Sequence, residues 1–342
     1  MLNSFKNGVK LCFIIVGTTI GAGFASGREI WEFFSSYGYQ SIFGIYIAMI
    51  LFAISSIFIL LISYKYKTEN YYEVLVILMG NSIARIFDGF IFLYLFSGSV
   101  IMFAGSGATF EQWNYPYLWG VVIIGILVWI VLQRGINGLM TLNGLVIPFL
   151  IIILIYVNYQ FLENNQFISE KHVRGNLEVW PSAITYTALN LISLLGVLST
   201  MGQKIKSQWD IVIGGGLAAF VLGVVALLLN FSLLKVEYVQ QYEIPLFSLI
   251  PNYKSILLFV VSLALWLAIY TSVVSNIHGL VHRIQSKYSF STGKLSLLLI
   301  LCIFPLSFIG FSKLVEILYP LYGVINLYLL AVVILYPFQT SR

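Results

Sequence analysis

Charged side chains are so sparsely distributed along this chain that their positions alone decide its fold class. They leave charge-free windows at 11–27, 33–64, 89–110, 112–133, 135–162, 179–203, 211–234, 255–282, 295–312 and 317–341. Each window accommodates a helix of roughly 17–25 residues, the length that crosses a bilayer. Only 9% of residues are charged and 60% are hydrophobic, whereas soluble domains carry about 25% charged residues. The pattern predicts an all-α polytopic membrane protein with ten transmembrane helices, whose first partner is the lipid bilayer. The net charge of +5 is a matter of topology, not of nucleic-acid binding. With the N-terminus in the cytoplasm, Lys6, Lys10, Lys65, Lys67, Arg134, Lys204, Lys206, Arg283, Lys287, Lys294 and Arg342 fall inside. Lys171, Arg174, Lys235, Lys254 and Lys313 fall outside, an eleven to five bias that predicts both termini cytoplasmic. The first apolar run follows Lys6 and Lys10 as a signal peptide would. It has no clear cleavage site, so it is expected to stay in the protein.

The first window belongs to the most informative stretch, 11–34, which is interrupted at its middle by Gly17, Gly21 and Gly23. Non-helical backbone at membrane depth is tolerated only where it lines a protein cavity. Released carbonyls and amides there would bind a cation or an anionic group. The alternative is a continuous helix with a small-residue packing face. Thr18 and Thr19 add polarity at the same level.

Other polar residues inside spans are fewer. Arg85 and Asp88 stand at i,i+3 in span 3, either as a latch of an inner gate or as a neutralised scaffold bridge. Tyr94 of the same span either reaches a central cavity or packs at an interface. Span 6, about 181–203, carries Asn190, Ser193 and Gly196, and span 8, about 254–282, carries Tyr270-Thr-Ser-Val-Val-Ser-Asn276. Pro148 is expected to kink span 5, and Pro320 with Gly323 to bend span 10. Cys12 and Cys302 read as small buried hydrophobes. The hydrophilic stretch 161–180 divides the chain into 1–160 with spans 1–5 and 181–342 with spans 6–10. An odd number of spans per half makes the two halves inverted relative to one another.

The segment Gly17-Thr-Thr-Ile-Gly-Ala-Gly-Phe-Ala-Ser-Gly-Arg-Glu29, followed by ten spans in this arrangement, resembles the bacterial YkvI-type membrane protein family over the whole chain. More distantly, through spans 1, 6 and 8, the chain resembles the amino acid–polyamine–organocation superfamily with the leucine-transporter fold. That resemblance implies a five-plus-five inverted repeat with discontinuous helices 1 and 6 around a central site. It implies a sodium ion held by the carbonyls of Gly17, Ile20 and Ala268 and the hydroxyls of Thr271 and Ser272. Ala268, Thr271 and Ser272 do share one helical face. The competing reading has the two hydroxyls bonded to a preceding carbonyl of their own helix. The resemblance also implies a substrate site from Thr18, Thr19, Gly21, Ala22 and Gly23 with Asn190, Ser193 and Gly196, joined by Tyr94. Span 6 has no close copy of that family's signature. An outer gate would pair Arg28 with Glu316; a local Arg28–Glu32 pair is the alternative.

These readings converge on a non-enzymatic secondary transporter in the bacterial cytoplasmic membrane, a monomer or weak homo-oligomer. It would couple sodium to the symport of a small organic solute, an amino acid or related amine. Proton coupling through Asp88, Glu29 or Glu32 is the alternative within that class, and a channel-like protein is a further one. His278 and His282 at i,i+4 would be the ligands of an intramembrane metalloenzyme, but two histidines without a third ligand are a weak metal site. No cofactor is expected beyond the coupling ion.

Overall fold

The computed structural model describes residues 2–134, 139–165, 174, 176–250, 255–285 and 288–339. Every element among the described residues is helical. The first span consists of α1 (Leu2–Thr19), α2 (Ala22–Ala25) and α3 (Arg28–Phe33). There follow α4 (Gln40–Tyr66), α5 (Tyr71–Glu111), α6 (Tyr117–Arg134) and α7 (Leu139–Asn164). Beyond the loop come α8 (Trp180–Leu198), α9 (Gln208–Leu233), α10 (Ser255–Gln285), α11 (Thr292–Ser307), α12 (Phe311–Ile325) and α13 (Leu327–Gln339). Among the described residues, seven helical stretches are long and apolar enough to cross a bilayer: α4, α5, α7, α8, α9, α10 and the α12–α13 pair. Two more, α6 and α11, are shorter apolar helices. This is a multi-pass membrane protein.

Small residues set the closest helix approaches. A side chain built on Gly8 would meet Ile213 at 2.6 Å, and one on Gly214 would meet Leu11 at 2.7 Å, so α1 and α9 pack nearly backbone to backbone. The helix α4 lies against both α8 and α9, and α5 lies against α10, α6 and α11. Buried hydroxyls and amides tie these layers. Asn230 of α9 accepts from the Ser35 hydroxyl at 2.8 Å and donates to the Ser41 hydroxyl at 2.9 Å. Ser63 and Thr68 both donate to the Ser199 carbonyl, at 2.8 and 2.7 Å, which anchors the end of α8 against α4. Each such bond in a membrane is worth about 0.6 kcal/mol.

The spans differ from expectation in detail. Of the span expected at 181–203, α8 forms an unbroken helix from Trp180 to Leu198 and ends there, with turns at 199–200 and 202–204. Its polar side chains satisfy themselves along the helix. Thr187 donates to Ala183 O at 3.1 Å and Asn190 to Tyr186 O at 3.0 Å, and no proline interrupts the interior. Ahead of span 3, Asn70 caps a helix starting at Tyr71 by accepting from the Glu73 amide at 3.1 Å. Gly80, at φ 73° and ψ 167°, then breaks the helix within α5. In the last span, α12 contains Pro320 and Gly323 and ends at Ile325, and α13 begins at Leu327, with the fully buried Asn326 between them. Cys12 is buried as expected, whereas Cys302 is exposed on α11. Residues 135–138, and 166–173 with 175 of the stretch 161–180, lie outside the described residues.

Candidate functional site

The interruption in the first span creates the site. At the end of α1 the Gly21 amide turns to donate to Thr19 O at 2.8 Å instead of reaching back to Gly17 O. The Gly17 carbonyl therefore loses the donor four residues on that a continuous helix supplies. Gly21 is extended at φ −95° and ψ −174°, after which α2 makes one turn. Gly27, at φ 78°, reverses the chain into α3, a conformation that favours glycine. The turn is held from outside the span: the Leu246 amide, in a 3-10 segment at Pro245–Leu249, donates to Ser26 O at 2.8 Å.

Beside this break lies a cavity of about 810 Å³, walled by α1–α2, α5, α7, α8, α10 and α12. Every residue expected in the ion or substrate site lines it. The expected ion ligands Gly17, Ile20, Ala268, Thr271 and Ser272 are all on its wall. The Thr271 and Ser272 hydroxyls donate to Ala268 O, at 3.1 and 2.8 Å. The local bonding weighed against an ion site is thus present, and it leaves the hydroxyl lone pairs free to accept or coordinate. Thr18, Thr19, Gly21, Ala22 and Gly23 line the cavity from the first span. The threonine hydroxyls are bonded to Ile14 O and Ile15 O at 2.8 and 2.9 Å. Opposite them, Tyr94 reaches the cavity, with its hydroxyl 3.2 Å from Ser193 Oγ. Asn190 and Gly196 complete the α8 wall, and nothing stands within 4 Å of where a Gly196 side chain would be.

Sequence reasoning missed part of this wall. Tyr319 and Tyr322 of α12 line the cavity; Ser97 donates to the Tyr322 hydroxyl at 2.8 Å, and the Tyr94 and Tyr322 rings meet edge to face at 5.3 Å. Their i,i+3 spacing beside Pro320 was a usable signal. Glu29, considered only as a proton carrier, turns into the same cavity.

The expected gate pairs are rearranged. Arg28 is buried, but neither the Arg28–Glu316 nor the Arg28–Glu32 pair forms. Its Nε and Nη1 make no hydrogen bond, and Glu316 is exposed. The turn between α2 and α3 leaves the guanidinium buried, 3% exposed. Glu32 is taken instead by Arg174 of the loop before α8, through Nη2 to Oε1 at 2.6 Å and Nη1 to the Glu32 carbonyl at 2.9 Å. The Arg174 amide also donates to Ser36 O at 2.8 Å. The Arg85–Asp88 pair is absent as well. Asp88 is ion-paired with Arg283 of α10 and accepts from the Tyr71 hydroxyl at 2.8 Å, while Arg85 is exposed. An interhelical partner outcompetes the intrahelical one because α5 and α10 pack along their length. The His278 and His282 rings stand 6.3 Å apart, and no group of three potential metal-ligating His, Cys, Asp or Glu occurs among the described residues.

A first span opened at membrane depth, wrapped by helices around a central cavity, defines a fold class shared with solved transporters. The chain aligns with MhsT in complex with L-phenylalanine at a TM-score of 0.59 and 16% identity, covering 87% of this chain and 78% of that one. It aligns with the inward-facing conformation of Mhp1 at a TM-score of 0.63 and 14% identity, covering 96% and 75%. A mutant of the Eremococcus coleocola manganese transporter gives a TM-score of 0.63 and 14% identity, covering 97% and 78%. The fold is of the leucine-transporter type. In sequence the chain is 33% identical to the uncharacterized protein YyaD of Bacillus subtilis over 97% of this chain and 98% of that protein. It is 30% identical to the uncharacterized membrane protein YkvI of the same organism, over 93% and 92%. The chain belongs to the family of YyaD and YkvI. No family model matches it.

Proposed function

We propose that this protein is a secondary transporter working by alternating access, coupling sodium to the symport of a small organic solute, an amino acid or related amine. One observation carries the reading: an interrupted first span sets the unpaired Gly17 carbonyl on the same cavity wall system as Ala268, Thr271 and Ser272. Carbonyl and hydroxyl oxygens without a carboxylate suit a hard monovalent cation. Thr18, Thr19, Gly21, Ala22, Gly23, Tyr94, Asn190, Ser193 and Gly196 would receive the solute beside it. The cavity reaches Phe13 and Tyr71, on the side of the N-terminus, while at the far end of the first span the Pro245–Leu249 segment is bonded to Ser26. That arrangement corresponds to an inward-open state, with Arg28, Glu32 and Arg174 on the closed face and Asp88 with Arg283 flanking the open one.

Two halves, 1–160 and 181–342, would form the inverted repeat of ten spans. Packing supports it: α1 lies on α9 as α8 lies on α4, the exchange expected if each span's counterpart is five spans on. The excess of basic residues on the N-terminal side supports insertion in a bacterial cytoplasmic membrane with both termini inside. Nothing in the fold requires a second copy.

The test is uptake of labelled amino acids and amines into liposomes holding the purified protein, in sodium against choline buffer at fixed pH. Thr271→Ala combined with Ser272→Ala should abolish the sodium stimulation while leaving the protein folded. An undiminished sodium response in that double variant rejects the ion assignment. Proton coupling is the second reading, favoured by the buried Glu29 carboxyl in the cavity; uptake that follows the pH gradient alone would select it. Flux that never saturates with solute would indicate a channel.

A further inference from the structure

Consecutive residues of the first span differ in their surroundings: Glu29 lines the cavity, whereas the buried Arg28 beside it does not. Glu29 is 8% exposed and has no hydrogen-bond or ion-pair partner among the described residues. It is also the one charged side chain on the cavity wall among the described residues. Its carboxyl lies over Gly23: a side chain built there would overlap Glu29 Oε1 and stand 2.7 Å from the Tyr319 hydroxyl. The missing side chain at Gly23 therefore keeps open the space where the carboxyl meets the cavity.

A carboxylate withdrawn from water without a partner is unfavourable, and a cation arriving in the cavity removes that penalty. The surrounding wall fits the body of such a ligand. Tyr94, Tyr319 and Tyr322 line it with aromatic side chains, and Ile91, Ile101 and Met102 with apolar ones. Aromatic faces near a carboxylate favour an ammonium group over a neutral or anionic one. The volume of about 810 Å³ is that of a site for an organic molecule and far exceeds a bare ion.

We infer that the cavity selects organic cations, protonated amines with an apolar body, and that Glu29 is the residue that reads their charge. This rests on the transporter reading and narrows its solute from amino acids or amines to amines. A carboxylate on the solute would meet Glu29's like charge, with no lysine, arginine or histidine on the described wall to offset it.

The experiment measures thermal stabilisation of the purified full-length protein by matched ligands differing in charge. The probes are phenethylamine, phenylalanine, 3-phenylpropionate and 2-phenylethanol, with pentylamine, norleucine, hexanoate and pentanol as an aliphatic series. A ligand that binds only the folded protein raises its apparent stability in proportion to affinity. An amine of either series should bind at least tenfold tighter than its zwitterionic, anionic and neutral analogues. Glu29→Gln, which keeps the shape and removes the charge, should erase that preference. Equal stabilisation by amine and alcohol in the wild-type protein overturns the inference without any variant. So does an amine preference that survives in Glu29→Gln, and so does the absence of stabilisation by both amines. Liposome uptake separates the two claims. Charge-selective binding without flux removes the transporter reading and keeps the inference, whereas coupled flux of zwitterions undiminished in Glu29→Gln does the reverse.

Discussion

The first span meets the cavity by letting its main chain out of the helix, whereas α8 meets the same cavity as a continuous helix and offers only side chains. Both carry glycine and hydroxyl or amide groups at cavity depth, so composition does not distinguish them. What differs is where the glycines stand. Gly27 occupies a left-handed turn, and Gly23 lies beneath the Glu29 carboxyl and the Tyr319 hydroxyl. Gly196 of α8 has open space around it and helical neighbours. A glycine breaks a helix when the fold uses its left-handed backbone or its missing side chain; otherwise it costs a helix only about 1 kcal/mol. The comparison also separates two kinds of ligand group: backbone carbonyls freed on α1, and side chains already bonded to their own helix on α8.

The largest effect should come from reversing that asymmetry. Gly23→Val forces a branched side chain into the place of the Glu29 carboxyl and the Tyr319 hydroxyl. Overpacking of this kind costs about 1–3 kcal/mol, which lowers solute affinity about 5-fold to 150-fold if the strain is relieved only in the unliganded cavity. Gly196→Val, the same change on α8, has room and should leave folding stability within about 0.5 kcal/mol. Thermal melting and ligand-induced stabilisation of the two variants side by side check this. Equal sensitivity at both positions would break the contrast between the spans.

The same contrast explains how far the sequence was legible. Charge-free windows disclosed the helical membrane class, which follows from local chemistry, and Gly17, Gly21 and Gly23 marked the stretch in which the break falls. Thr271 and Ser272 were found through their spacing on one helix face together with a family resemblance. Tertiary choices were not legible. Asp88 chose Arg283 over Arg85, and Glu32 chose Arg174 over Arg28, each partner lying more than a hundred residues away. Helical spacing scores neighbours on one helix and is blind to a partner brought in by packing. A broken span 6 is an expectation from resemblance; α8 stays helical over 180–198, where Thr187 and Asn190 are bonded back at i−4, and the backbone leaves the helix only beyond Leu198.

An intermediate effect is expected at the closed end of the cavity. There α3 is held from two directions: Ser182 of α8 donates to Phe33 O at 2.7 Å, and Arg174 of the preceding loop grips Glu32. Arg174 is 29% exposed and Glu32 only 3%, so the pair lies between a surface bridge of little worth and a buried one. Its loss should cost about 1 kcal/mol, close to a fivefold rise in the open population of that face. With Cys12 and Cys302 replaced by alanine and a cysteine introduced as Leu246→Cys, Arg174→Ala should raise labelling by a membrane-impermeant thiol reagent about fivefold. Ser182→Ala, which removes one neutral bond at the top of α8, should raise it less, near the 0.6 kcal/mol of a single membrane hydrogen bond. If Ser182→Ala has the larger effect, the face is closed by α8 and the loop only covers it.

The smallest effect is expected at the break itself, and it is the sharpest test of what causes the break. Gly21 sits at φ −95° and ψ −174°, an extended conformation open to any residue, and no atom stands within 4 Å of where its side chain would lie. If the interruption is imposed by packing around Gly23, Gly27 and the Leu246–Ser26 bond, then Gly21→Ala neither strains the chain nor refills the helix. It should instead stabilise the protein by about 0.4–1 kcal/mol, because alanine has fewer unfolded conformations to lose. If the break exists because glycine at this position weakens the helix, alanine should drive 17–25 toward a continuous helix. The Gly17 carbonyl would then regain its amide donor, and the response of melting temperature to sodium would shrink. A higher melting temperature with an unchanged sodium response assigns the break to tertiary packing; a weakened response assigns it to the local sequence.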